Sequence, residues 1–288
     1  MTDRNRDWSV DDISWQAFAG AAVDPDILKV VKAAALVEYN GADYARYLCE
    51  VFRDDEGFCA AAARWGAEEQ RHGAALRRWT ERADPGFDFD AAFARFAAAV
   101  TLPRDADGSV RGTRCGELVA RCMVEVGTSS FYAALGDASA EPVLREICRR
   151  IAADEVRHYK LFLTTLDRYQ AIERIGFVRR AMVALARILE TKDDELAFAY
   201  YTANAPNLSG GDAEAHGDVI AYDRRTAARA YAGRAFSLYQ PRHVRRGLAM
   251  FLKTVGFERG GATWVLRWLA AAIHRIVVWR ARRLAALQ

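Results

Sequence analysis

The sequence predicts an all-α protein: a four-helix bundle with a crossover helix between its two hairpins and additional C-terminal helices. Three observations carry that prediction. Of its 288 residues 52% are hydrophobic, enough for a sizeable core, while Ala and Arg are abundant and β-branched runs are scarce. Glu and His stand three residues apart in Glu69-Gln70-Arg71-His72 and again in Glu155-Val156-Arg157-His158, and on a helix that spacing puts both on one face. A lone Glu precedes each copy, Glu38 by 31 residues and Glu125 by 30.

Taken in order, residues 1–22 read as an N-terminal arm, mobile or loosely docked. Met1–Asp7 lacks the apolar stretch of a signal peptide, so a cytoplasmic location is expected. Asp24-Pro25-Asp26 then supplies an N-cap and a first-turn Pro, and the first helix should run to about Phe52. Arg53-Asp54-Asp55-Glu56-Gly57 has the composition of a turn, and a second helix follows from about Asp55 to Arg82. Arg82–Gly86 breaks the pattern. Phe87–Val100, with Phe89, Phe93 and Phe96, reads as the crossover helix, its rings suited to core packing or to a substrate tunnel. After a loop at 101–108, helices are expected from about Val110 to Leu135 and from Glu141 to Tyr169, joined by the turn Gly136–Pro142. Residues 23–170 thus form the bundle.

The two turns fall midway between each lone Glu and its partner motif. Equal distance from the turn sets each pair at one height, so two packed hairpins bring four carboxylates and two imidazoles to one point. Val31, Ala34, Ala35, Gly41, Ala42 and Ala45 share the face of Glu38, and Cys148, Ile151, Ala152 and Phe162 that of Glu155 and His158. Those faces are apolar and should point inward. Burying four ionised carboxylates without partners costs far more than a fold tolerates, and two divalent ions cancel the charge. One Glu from each of two helices with Glu-x-x-His from the other two is the ligand set of a di-iron carboxylate site. Oxygen ligands mixed with imidazole suit Fe, Mn or Zn. Glu68 and Asp154, each just before a motif Glu, are either surface charges or placed to hold the second nitrogen of a His across the bundle. Thr128, one turn after Glu125, either faces the open side of the metals or bonds a backbone carbonyl.

Glu68-Glu69-Gln70-Arg71-His72 and Asp154-Glu155-Val156-Arg157-His158 resemble the paired motifs of soluble acyl-carrier-protein desaturases, members of the ferritin-like superfamily. Glu125-Val126-Gly127-Thr128 is similar to that family's third-ligand motif. The resemblance covers roughly Asp24–Gln170. It implies a ferritin-like bundle in which Glu38, Glu69, His72, Glu125, Glu155 and His158 hold two Fe ions, with Mn as the alternative metal. Thr128 and Asp154 take supporting catalytic roles. The implied activity uses dioxygen and two electrons to oxidise a fatty-acyl or other lipid-like chain. Desaturation, hydroxylation and N-oxygenation all start from such a site.

Residues 171–288 form an appended helical region with a basic end. Pro241–Gln288 carries ten Lys plus Arg against one acid, Glu258, whereas Met1–Gln240 carries 31 against 37. Trp264–Leu284, with Trp268, Ile276 and Trp279 beside Arg267, Arg275 and Arg282, reads as a basic amphipathic helix too often charged to span a bilayer. An acyl carrier protein, an anionic membrane surface at which the protein would be peripheral, or packing on the bundle are its expected uses; nucleic acid is not, for want of a reading motif. A homodimer is left open. The five cysteines form no Cys-x-x-Cys pair, so they read as free buried thiols, and electrons must come from a separate ferredoxin or reductase. Two other classes compete: a ferritin-like peroxidase or ferroxidase, and a metal-stabilised, non-catalytic bundle that recruits a partner.

Overall fold

Capping side chains fix where the helices begin. In the computed structural model, which describes residues 8–100, 108–190, 195–205, 222–257, 271–276, 278, 279 and 283, Asp24 accepts from the Asp26 and Ile27 N–H groups and Pro25 opens α1 (Pro25–Tyr39). After Asn40 comes α2 (Gly41–Val51), then α3 (Glu56–Ala83) capped by Asp55 and α4 (Phe89–Ala99) capped by Asp88. Thr113 caps α5 (Arg114–Ala138), which therefore starts later than the expected Val110. Glu141 caps α6 (Pro142–Glu173) through Val143 and Leu144, and also accepts from Trp79 Nε1 at 2.7 Å and Ala19 N at 3.1 Å. Four donors make that buried carboxylate tolerable. Then follow α7 (Phe177–Glu190), α8 (Glu195–Asn204), α9 (Arg224–Ser237) and α10 (Pro241–Thr254). Among the described residues there is no strand, and the protein is all-α.

The first expected helix is in fact two. The chain breaks at Asn40 because α1 and α2 press against the backbone of α3. A Cβ on Gly41 would lie 2.5 Å from Glu69 Cβ, and one on Gly73 would lie 2.4 Å from Tyr39 N. No side chain fits between these backbones, so the joint sits where glycines allow it. That approach also brings Glu38 beside Glu69 and His72.

α1 and α2 lie along α3, α5 along α6, and α3 meets α6 to join the two hairpins. Buried apolar residues form two clusters. One gathers Leu36, Leu76, Trp79, Leu135 and Ile147; the other Leu48, Phe58, Trp65, Leu118 and Phe162. On each of the four legs the Glu or Glu-x-x-His lies between the stretches that feed the two clusters. A belt of acid and imidazole therefore separates two dry cores.

The segment before α1 is not a loose arm. Trp8, Ile13 and Trp15 are buried, Ser14 N donates to Glu146 Oε2 at 3.1 Å, and Arg78 and Arg82 stack on the Trp15 ring. Two indoles offer too much apolar surface to leave in water. Phe89 and Phe96 are fully buried and Tyr39 packs edge-on to Phe89 and Phe93, so the crossover rings serve the core. Of the cysteines, Cys115, Cys122 and Cys148 are buried free thiols, whereas Cys49 and Cys59 are only half-buried.

The region after residue 170 feeds the same cores. α8 covers α1, α9 covers α8, and α7 and α10 lie on α5, adding Tyr200, Ala235, Ala184 and Val255 to the two clusters. Arg242 and buried His243 both contact Asp137 Oδ2, at 2.8 and 2.7 Å, so the start of the basic arm is bound to the end of α5. The helix expected over Trp264–Leu284 lies mostly outside the described residues; 271–276 are helical, with Ile276 and Trp279 exposed. No helix among the described residues is long and apolar enough to cross a membrane.

Candidate metal centre

Helix spacing delivers all six expected ligand residues to one buried place. Glu38 ends α1, Glu69 and His72 lie mid-α3, Glu125 mid-α5, and Glu155 and His158 mid-α6; each is at most 7% exposed. They form two groups whose donor atoms lie within 4.8 Å of one another: Glu38, Glu69, His72 and Glu155, and Glu69, Glu125, Glu155 and His158. Glu69 and Glu155 belong to both. Either group could hold a metal ion.

Both imidazoles turn Nδ1 inward. His72 Nδ1 lies 3.3 Å from Glu155 Oε1, 3.4 Å from Glu69 Oε2 and 3.6 Å from Glu38 Oε2. His158 Nδ1 lies 3.0 Å from Glu69 Oε1 and 3.7 Å from Glu125 Oε2. These are crowded contacts, not aligned hydrogen bonds. His72 Nδ1, His158 Nδ1, both Glu125 oxygens and Glu155 Oε1 are buried with no hydrogen-bond partner. Buried polar atoms are nearly always paired, so five unpartnered donors and acceptors in one cluster fit a cation-binding site. The donor set of carboxylate oxygen and imidazole nitrogen suits Fe, Mn or Zn.

The outer nitrogens are held reciprocally. His72 Nε2, on α3, sits 3.1 Å from Asp154 Oδ2 on α6; His158 Nε2, on α6, sits 2.8 Å from Glu68 Oε2 on α3. A carboxylate there fixes the proton on Nε2 and leaves Nδ1 with a lone pair for a metal. Arg157 bridges Asp154 and Glu68, and Arg71 reaches Asp154 Oδ2 at 3.3 Å.

Burial and crowded like charges shift the titration of these groups. Burial and the neighbouring Glu69 charge push the Glu38 carboxyl up to about 8, and burial with the Glu155 charge drives Glu125 well above its ordinary value. Burial opposes charge on His72 and His158, but the surrounding carboxylates outweigh it and hold both well above the usual imidazole range. Burial also works against Asp154, yet its bond to His72 holds it down at about 2.

The Thr128 hydroxyl lies 3.2 Å from the Val124 carbonyl, the backbone contact that was one of its two expected descriptions, and it also contacts Glu155 Oε2. Two further residues were not singled out from sequence. Tyr132 OH donates to Glu38 Oε1 at 2.6 Å, and its position two turns beyond Glu125 on one helical face was a usable signal. Trp8 Nε1 donates to Asp154 Oδ2 at 2.8 Å while its ring stacks on His72, with centroids 5.9 Å apart. Nothing periodic surrounds Trp8 to announce it. No family model matches the chain, and no curated protein matches it.

Proposed function

We propose that this chain is a ferritin-like di-iron carboxylate oxidase of the desaturase or hydroxylase type, acting on a fatty-acyl or lipid-like chain. The observation that carries the reading is the pair of Glu-x-x-His sets sharing Glu69 and Glu155, each His backed by a carboxylate from the opposite helix. Glu38 and His72 would help hold one iron and Glu125 and His158 the other, with Glu69 and Glu155 available to both. When bound, two irons supply the reduction of dioxygen by two electrons coupled to oxidation of the substrate.

The chain's own residues do the rest. The two apolar clusters keep water from the belt and present a dry surface to a hydrocarbon. Thr128, only half-buried and in contact with Glu155, is placed to hold a proton at the edge of the site. Trp8, Asp154 and His72 form a hydrogen-bonded chain from the N-terminal segment to a ligand nitrogen, a route by which an external donor's electrons can enter.

Both proposed outcomes balance. Desaturation takes a CH2–CH2 unit, dioxygen, two electrons and two protons to a CH=CH unit and two waters; hydroxylation takes a C–H bond and the same reagents to an alcohol and one water. Aerobic turnover of candidate acyl chains with ferredoxin and its reductase, followed by mass spectrometry, separates loss of two hydrogens from gain of one oxygen. Metal-dependent consumption of dioxygen without either product would remove the reading.

A further inference from the structure

Helix α7 is built inside out. On its wheel Val178, Met182, Leu185 and Leu189 fall on one stripe, the spacing that normally seals a helix to a core. Here that stripe faces outward, with all four residues more than half exposed. The inward side packs only the small Ala181, Val183 and Ala184 on the core and carries arginines beside them. Arg180 lies against Gly256 so closely that a Cβ there would meet Arg180 Nη2 at 2.1 Å. Arg187 is turned toward Arg111 and Arg121, whose charges, after burial, push its guanidinium down to about 10. Turning the helix over would seal the apolar stripe and free the arginines, so the observed facing implies an apolar environment outside.

The charge beside the stripe identifies that environment. Arg174 and Arg179 are exposed just before and within α7, and Gly256, which Arg180 of α7 touches, lies just after α10, whose Arg245, Arg246 and Lys253 are exposed. Two acids on this side are already engaged: Glu173 accepts from the N–H groups of Arg114 and Cys115, and Glu190 pairs with Arg111 at 2.6 Å. A second copy docked stripe to stripe would set arginine against arginine, whereas an anionic lipid surface supplies both the apolar layer and the opposite charge. Fourteen residues rise about 21 Å, short of the roughly 30 Å hydrocarbon layer, so the helix can only lie in the surface plane.

We infer that α7 docks this protein in-plane on an anionic membrane surface, burying Val178, Met182, Leu185 and Leu189 among the lipids. The inference is independent of the proposed oxidase chemistry. The test is flotation of the full-length, metal-loaded protein with phosphatidylcholine vesicles that contain or lack phosphatidylglycerol. The wild type should float with the anionic vesicles, and Met182→Glu/Leu185→Glu should lower that binding at least tenfold while leaving thermal melting and metal content unchanged. Arg179→Glu should weaken binding to the anionic vesicles less than the double substitution does, with melting and metal content again unchanged. Absence of wild-type binding, equal binding to both vesicle types, or binding that survives the double substitution would overturn the inference. So would a wild-type dimer in analytical ultracentrifugation that the same double substitution converts to monomer.

Discussion

His72 Nε2 and Asp154 Oδ2 face each other at 3.1 Å across α3 and α6, and the same Asp154 oxygen accepts from Trp8 Nε1. One buried carboxylate thus ties a proposed ligand, the opposite leg and the N-terminal segment together. If it orients His72 for metal, Asp154→Asn should lower metal affinity by about ten- to a hundredfold, and Glu68→Gln should do the same through His158. Chelator competition on both variants, with the exposed Asp167→Asn as control, checks this; effects equal to the control would leave the acids without an orienting role.

Trp8 gives a second expectation. A buried Trp cut to Ala costs about 3–5 kcal/mol, so Trp8→Ala should destabilise the chain on that scale. Trp8→Phe keeps most of the packing but drops the bond to Asp154. It should fold nearly normally and slow reduction of the loaded site. Urea unfolding and stopped-flow reduction read the two effects separately.

The glycine joint gives a third. Gly73→Ala sets a methyl against the Tyr39 backbone, and overpacking of this kind costs about 1–3 kcal/mol or more. Because the same contact positions Glu38, the variant should also bind metal more weakly. Gly176→Ala, where a Cβ meets nothing within 4 Å, should do neither.

Why the six ligands were legible and the joint was not follows from range. Glu69 and His72 are related by helix geometry alone, and the match between Glu38 and Glu125 needs only two short turns. The break at Asn40 depends on Gly41 and Gly73 meeting residues about thirty positions away, which no local pattern displays. Trp8 failed for the same reason: its partner is Asp154. For α7 the apolar stripe was readable, but the stripe alone implies inward packing, and only the coordinates show Val178 and Leu189 facing out.

The metal-free site should show itself in the pH dependence of stability. Glu38 keeps its proton up to about 8 in the folded chain but releases it near 4.5 when unfolded, and Glu125, Glu155, His72 and His158 are raised in the same sense. The folded state then holds more protons, so stability of the metal-free protein should fall as pH rises from about 4.5 through about 8. Asp154, lowered to about 2, and Glu69 and Glu68, which the histidines hold below the ordinary carboxylate range despite burial, act oppositely, but their contributions are complete above that range. Metal replaces these protons, so the loaded protein should lose that slope. Thermal melting with and without metal over this range is the check.

The most direct test of the two-metal centre is anaerobic titration of the metal-free protein with ferrous ion, read by absorption and by metal analysis after desalting. The wild type should saturate at about two ions per chain. Glu155→Ala, which removes a residue common to both groups, should weaken both ions, whereas Glu38→Ala should weaken one and spare the other. An endpoint of one ion or none, or full occupancy in both variants, would contradict a di-iron site on these six side chains.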